Sequence, residues 1–353
     1  MGALRANGGW LADRVQTRVK SLVKDGVDAA PYLSGLTSLR KRRARVGGAV
    51  VLMYHSVLDD ECASWIDPTY AVTRRQFIQH VDLLIRRRNV IGIDELHAHL
   101  AEGTDPPPGS VVITFDDGYR NNLTTAAPIL AAAGLPATFY LATGYVNDTE
   151  SQWVDTLYSS FTRRTRDHLV LPTGRYDLGV RLQRRRAHTA MLERLLGADR
   201  ADRAGILKDL DDQLQPTGTA PRLTLDWDEV RQLRGMSDGF TIGVHTRDHL
   251  DLSRLPEDAV RAEITRSIDD VQAALGVRAR HFSYPYGRAD ASKGRVAREL
   301  GLDTAVLVHQ RRVIGGGSDP HMLPRLGSGT NYLLLRARST GFSPLFDRTA
   351  IRN

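Results

Sequence analysis

The sequence predicts an α/β chain in which about seven strand–helix units surround a parallel sheet that is closed, or nearly closed, into a barrel. Three observations lead there. Short apolar runs, bounded by glycine or polar residues, alternate with amphipathic helical stretches, as strands buried on both faces require. The chain has 353 residues, 41% hydrophobic and 25% charged, enough for a barrel of ~250 residues with additions and unlike a disordered or collagen-like chain. The single cysteine, Cys62, excludes an intramolecular disulfide framework, and no run of about 18 apolar residues is present to span a bilayer.

The elements follow in order. Residues 1–46 hold ten basic and three acidic side chains, which is the entire formal surplus of +7. This is a basic arm on a neutral body. Within it Leu11, Val15, Val19, Leu22 and Val23 share one side of a helical wheel, opposite Arg14, Arg18, Lys20 and Lys24. Two readings stand side by side: a helix lying on an anionic membrane through residues 9–24, or one packed on the body with its basic face in water. The Arg40–Arg45 cluster lacks interleaved aromatic residues, so no nucleic-acid partner is expected. Ala49–Tyr54 is the first strand. Thr73 and Gln76 form a capping box ahead of Phe77, Val81, Leu84 and Ile85. A short strand over Val90–Ile93 precedes a helix from Asp94 to about Leu100. Val111–Phe115 and Ala137–Ala142 are strands, separated by a helix that Gly134 ends. From about 156 to 225 an Arg- and Leu-rich stretch with helical spacing predicts a helical insertion. The alternation then resumes with helix Trp227–Leu233, strand Phe240–Val244, helix Pro256–Leu275, strand His281–Tyr284, helix Lys293–Leu300 and strand Thr304–Val308. The expected division is an arm over 1–46 and a barrel over 47–353 interrupted by the insertion.

Three of the loops that follow strands carry chemistry. In Thr114-Phe115-Asp116-Asp117-Gly118-Tyr119 two adjacent carboxylates repel unless a cation offsets them; one could bind a metal while the other stays free as a base. A plain turn with a helix cap is the other reading. In His245-Thr246-Arg247-Asp248-His249 two imidazoles share a helical face or converge across a turn, with spacing suited to one divalent cation. In Phe282-Ser283-Tyr284-Pro285-Tyr286-Gly287 a tight loop could present a backbone N–H to a developing oxyanion.

Taken together, the set resembles the polysaccharide deacetylase family (the NodB-homology domain, carbohydrate esterase family 4). The resemblance covers roughly residues 49–330 and includes Leu52-Met53-Tyr54-His55-Ser56-Val57, Gly134-Leu135-Pro136-Ala137-Thr138-Phe139 and Leu323-Pro324-Arg325 besides the three loops. It implies a deformed (β/α)7 barrel, with a divalent cation, usually zinc, held by Asp117, His245 and His249. It also implies that Asp116 is the general base and the Tyr286 backbone N–H an oxyanion donor. Many members carry an Arg three residues before the loop proline; here that residue is Phe282, and Arg325 is the candidate substitute. His309, in Leu307-Val308-His309, matches the family's general acid. His55, Tyr119 and Pro285 are the expected substrate contacts.

The implied reaction is removal of an N-acyl group, most simply acetyl, from an amino sugar of a polysaccharide, oligosaccharide or glycoconjugate. The arm suggests an alternative, a lipid-linked or nucleotide-linked sugar at the cytoplasmic membrane face, and a cytoplasmic location with peripheral membrane contact. An inactive carbohydrate-binding barrel is the non-enzyme alternative, and intact Asp116, Asp117, His245 and His249 argue against it. Deleting residues 1–46 is expected to leave the barrel folded while abolishing sedimentation with anionic vesicles. For the full chain that sedimentation should weaken between low and physiological salt. Early melting of the truncated protein would instead mean that the apolar stripe packs on the body.

Overall fold

Seven short segments have the composition that a two-sided burial demands. They are β1 (Ala49–Tyr54), β5 (Ser110–Phe115), β6 (Ala137–Leu141), β9 (Phe240–Val244), β10 (His281–Ser283), β11 (Thr304–Val308) and β12 (Leu323–Gly327). Between them lie shorter strands and the helices that cover the sheet. The computed structural model describes residues 48–58, 64–147, 151–308 and 313–327. The arm and Cys62 lie outside these residues.

All seven segments pair in parallel, in the order β1-β12-β11-β10-β9-β6-β5, and β5 returns to β1 to close the ring. The seven-stranded barrel expected from the sequence is therefore present. A two-residue strand β4 (Asn89–Val90) pairs with the start of β5, and β6 takes over at Thr114 and Phe115. Two more short strands, β2 (Ser56–Leu58) and β3 (Ala71–Thr73), pair outside the ring.

Alternation along the strands sorts the core into two layers. Val50, Leu52, Tyr54, Val111, Ile113 and Phe115 face a large apolar cluster shared with the helices. Ala49, Val51 and Val112 join Tyr140, Val306 and Leu323 in a separate inner cluster. Helix α1 (Arg74–Arg87) starts at the capping box expected of Thr73 and Gln76. Helix α2 (Ile93–Ala101) adds Ile93, Leu96 and Leu100 to the inner cluster. A π-helical turn, Asn122–Ala126, leads into α3 (Ala127–Ala132).

The segment between β6 and β9 departs from the expected all-helical insertion. Helix α4 (Trp153–Arg163) is followed by an antiparallel hairpin of β7 (His168–Leu171) and β8 (Gly174–Asp177). Helices α5 (Arg181–Leu196) and α6 (Arg200–Leu214) complete it. Along β7 exposed His168 and Val170 alternate with buried Leu169 and Leu171, a two-residue period too short to stand out in an Arg-rich stretch. The segment has its own core, centred on Trp153, Phe161, Leu169, Met191 and Leu210. Helices α7 (Trp227–Gly235), α8 (Glu257–Leu275) and α9 (Ala291–Glu299) cover the remaining strands.

At Gly243, on β9, a Cβ would lie 2.5 Å from the Tyr140 ring and 2.7 Å from the His281 carbonyl oxygen. The strand next to the second functional loop is thus packed to contact. Gly243→Ala should destabilise the barrel by about 1–3 kcal/mol, the usual cost of overpacking. Chemical denaturation of the two proteins measures this, and equal midpoints would show that the wall yields freely.

Candidate active site

Every functional loop leaves the barrel at the same end, because all seven strands run in parallel and each loop follows a strand's C-terminus. Asp116 and Asp117 follow β5, His245 follows β9, and Ser283 closes β10. Arg325 is carried by β12 and is fully buried.

The two aspartates have opposite surroundings. Arg325 donates to both carboxylate oxygens of Asp116, Nη1 to Oδ1 at 2.7 Å and Nη2 to Oδ2 at 2.6 Å. The same guanidinium donates to the hydroxyls of Thr114, at 3.1 Å, and Ser283, at 2.7 Å. Burial alone would raise the Asp116 carboxyl. The positive charge of Arg325, with contributions from His245 and His55, outweighs burial and holds it well below the usual carboxylate range. Asp117 has no such partner. Burial and the adjacent Asp116 charge, with Asp155 further off, push its carboxyl well above the ordinary value. Its Oδ1 is buried and accepts no hydrogen bond among the described residues.

That oxygen lies 3.5 Å from His245 Nε2 and 3.3 Å from His249 Nε2. The three donor atoms all fall within 4.8 Å of one another. His245 Nδ1–H donates to the Ser283 carbonyl at 2.7 Å, which fixes the tautomer and leaves Nε2 as a lone pair facing Asp117. Burial lowers the proton affinity of both imidazoles; for His249, His245 and Arg203 lower it further. Two neutral imidazoles and a carboxylate oxygen without a donor fit a divalent cation of the zinc type, which would supply the positive charge the three lack. A second Asp/His group, Asp94, His281 and Asp303, is different: Arg280 bridges its two carboxylates and already supplies the counter-charge.

Backbone strain gathers here. Asp117 (φ 76°), Thr246 (φ 63°), His249 (φ 50°) and Tyr286 (φ 58°) all adopt the left-handed conformation that non-glycine residues seldom hold without surrounding constraint. The two histidines therefore converge across a turn and not along a helix.

Other expected residues are spread more widely. Tyr286 packs its ring edge-on against His249, 4.8 Å between centroids, and its hydroxyl donates to the His249 carbonyl at 3.2 Å. His55 is half-buried beside the Tyr70 ring, and burial lowers its pKa to about 4, so it is neutral at pH 7. Tyr119, expected as a substrate contact, is 1% exposed and its hydroxyl donates to Asp155 at 2.9 Å. Pro285, expected as another, is buried at the start of the turn Pro285–Gly287. His309 lies outside the described residues.

Three participants were not read from the sequence, and all come from the insertion or its approach. Gln152 donates to the Asp117 carbonyl at 3.2 Å. Asp155 is buried beside Tyr119, and Arg203 reaches the carbonyls of Asp248 and His249. Nothing in the local pattern distinguishes Arg203 from the many arginines around it.

Residues 103–305, more than half the chain, match the polysaccharide deacetylase family. The chain belongs to that family. Membership makes it a hydrolase of carbon–nitrogen bonds other than peptide bonds, in a family that is metal-dependent. No curated protein matches the sequence. Among solved structures, the Streptococcus pyogenes deacetylase PplD, determined with acetate, is similar at 15% identity, covering 83% of this chain and 98% of its own, with a TM-score of 0.55. IcaB from Ammonifex degensii is similar at 19% identity, with coverages of 84% and 98% and a TM-score of 0.55. A de-N-acetylase from Aggregatibacter actinomycetemcomitans shares 17% identity, with coverages of 82% and 98% and a TM-score of 0.53. At these identities the likeness is one of fold.

Burial raises the Asp155 carboxyl from 3.8 to about 7, against the opposing pull of the Tyr119 hydroxyl. A group whose pKa rises on folding contributes stability that is complete below its unfolded value and lost as pH climbs through the folded one. Asp155→Asn keeps an acceptor for Tyr119 and removes the titration. In metal-free protein, wild-type stability relative to this variant should fall between about pH 4 and 7 and level off above. Parallel urea-unfolding curves across that range would show that Asp155 does not titrate this way.

Proposed function

We propose that the enzyme removes the N-acetyl group of an amino sugar in a polysaccharide or related glycoconjugate, with one divalent cation, zinc by donor chemistry, held by Asp117, His245 and His249. The observation that carries this reading is the opposite treatment of two neighbouring carboxylates. Asp116 is kept ionised and oriented by Arg325, whereas Asp117 is buried beside two neutral imidazoles with an oxygen that nothing serves. Environments that separate two such groups separate their roles.

When bound, the cation would polarise the acyl oxygen and make water a nucleophile near neutral pH. The protein's part follows from its own groups. Asp116, fixed by Arg325 and Ser283, accepts the proton of the attacking water as the new carbon–oxygen bond forms. The Tyr286 backbone N–H would stabilise the negative charge that develops on the acyl oxygen. The carbon–nitrogen bond then breaks, and the leaving amine takes a proton; His309 is the proposed donor. Neutral His55, near enough to Asp116 and His245 to feel their charges, is the proposed substrate contact. The acetate held in the Streptococcus pyogenes neighbour supports acetyl as the acyl group. The +7 arm supports a second substrate reading, a lipid-linked sugar presented at a membrane, and keeps residues 1–46 as a unit apart from the barrel.

The test is acetate release from a panel of free, nucleotide-linked and lipid-linked N-acetyl amino sugars, before and after chelation and zinc return. Activity should vanish with the metal and come back with zinc. Asp116→Asn should keep stoichiometric metal and lose about 10²–10⁴ in rate, the range for a general base. Asp117→Ala, His245→Ala and His249→Ala should each lose the metal by elemental analysis. Full metal in all three would overturn the ligand assignment.

A further inference from the structure

The loop that carries His249 is held from outside the barrel. Arg203, on α6 of the insertion, is 2% exposed. Its Nε donates to the Leu195 carbonyl of the insertion itself at 2.9 Å. Its Nη1 donates across to the loop, to the Asp248 carbonyl at 3.1 Å and the His249 carbonyl at 3.3 Å. No carboxylate pairs with it among the described residues, so a full charge has been buried against carbonyl dipoles and aromatic side chains, an expensive placement that a merely space-filling residue would avoid.

Neighbouring contacts act on the same loop. Arg200, three residues earlier on α6, donates to the Asp248 carboxylate at 3.2 Å and to the Gly144 carbonyl at 2.6 Å. Glu263, on α8, accepts from the Asp248 N–H at 3.0 Å. The His249 carbonyl receives Tyr286 Oη–H as well as Arg203 Nη1. Arg203 also lies over the Trp153 ring, 5.1 Å from its centroid; Trp153 and Tyr286 are 6.4 Å apart, and Tyr286 meets His249. His249 needs such support, because its φ of 50° is a conformation that a β-carbon opposes.

We infer that Arg203 is a positioning residue for the metal site: it locks the backbone of Asp248 and His249 so that the His249 imidazole points at Asp117, and the insertion is thereby a working part of the centre. This rests on the reading of His249 as a ligand. Hydrogen bonds that orient ligands typically change metal affinity by about 10–100-fold when removed.

The test uses the full chain loaded with zinc or with cobalt(II), whose visible spectrum reports ligand geometry. Arg203→Met should weaken zinc about 10–100-fold in competition with a chelator and alter the cobalt spectrum. Arg184→Met is the control: Arg184 is a buried arginine of the same insertion that donates to the Leu178 carbonyl, away from the loop. It should lower thermal stability while leaving zinc affinity and spectrum at wild-type values. Wild-type affinity and spectrum in Arg203→Met overturn the proposal, as does an equal change in Arg184→Met. If Arg203→Met does not fold, Arg203→Lys carries the test. One ammonium cannot reproduce the planar fork that serves three carbonyls, so affinity should fall several-fold with a changed spectrum, and unchanged values overturn the proposal. His249→Ala separates the two levels. Its loss of zinc alongside a wild-type Arg203→Met refutes only the positioning role, whereas its full retention of zinc refutes the ligand reading beneath it.

Discussion

The bidentate pair between Arg325 and Asp116 is the constraint on which the site depends. Two successive aspartates at a buried strand end cannot both ionise without compensation, and a charge without a partner in a barrel interior is costly. Arg325 settles one of the two, with both oxygens bound at 2.6–2.7 Å, and its Nη1 and Nη2 also donate to Thr114 and Ser283. The other aspartate is left to be compensated by something else. One side chain on β12 thus decides which carboxylate is held ionised, and leaves the other to face the imidazoles.

Much of this was legible in the sequence because it is local. The apolar runs at 49–54, 240–244 and 304–308 became strands at those same residues, since a strand buried on both faces has almost no other way to be composed. The Thr73–Gln76 capping box is a contact between near neighbours and survived intact. Arg325 was legible by subtraction: the family resemblance puts an arginine where Phe282 stands, and a buried carboxylate at Asp116 still needs a cation. Tertiary facts were not legible. Tyr119 belongs to the Asp-Asp loop by its position in sequence; in space its hydroxyl is turned to Asp155, inside the protein. Arg203 is one arginine in an Arg-rich stretch, and only the fold brings it to a loop 45 residues away. The β7–β8 hairpin alternates over just four residues, below the length at which a pattern separates from composition.

The insertion changes how the catalytic end should be viewed. In a barrel the strands position residues and the loops vary, yet here a lobe with its own apolar core sends Arg200 and Arg203 back onto the histidine loop and sets Trp153 against Arg203 and Tyr286. Gln152, at the lobe's entrance, does the same for Asp117. Both sides of the site are therefore braced by residues outside the ring of strands. Rigid positioning of strained residues needs such over-determination, and four left-handed non-glycine residues lie in or beside these loops.

His245 has a second consequence, for the integrity of the barrel wall. Strands β9 and β10 share a single register pair, Val244 with Phe282, the thinnest stretch of the ring. Immediately beyond it, the His245 main-chain N–H bonds to Leu141 of β6 while its imidazole bonds to the Ser283 carbonyl of β10. One residue thereby stitches both of its neighbours, its backbone serving one seam and its ring the other. The imidazole acts as a missing rung of the ladder. Closing the barrel and aiming the ring are a single act of folding, so a chain that has zipped this seam has already oriented His245 toward Asp117.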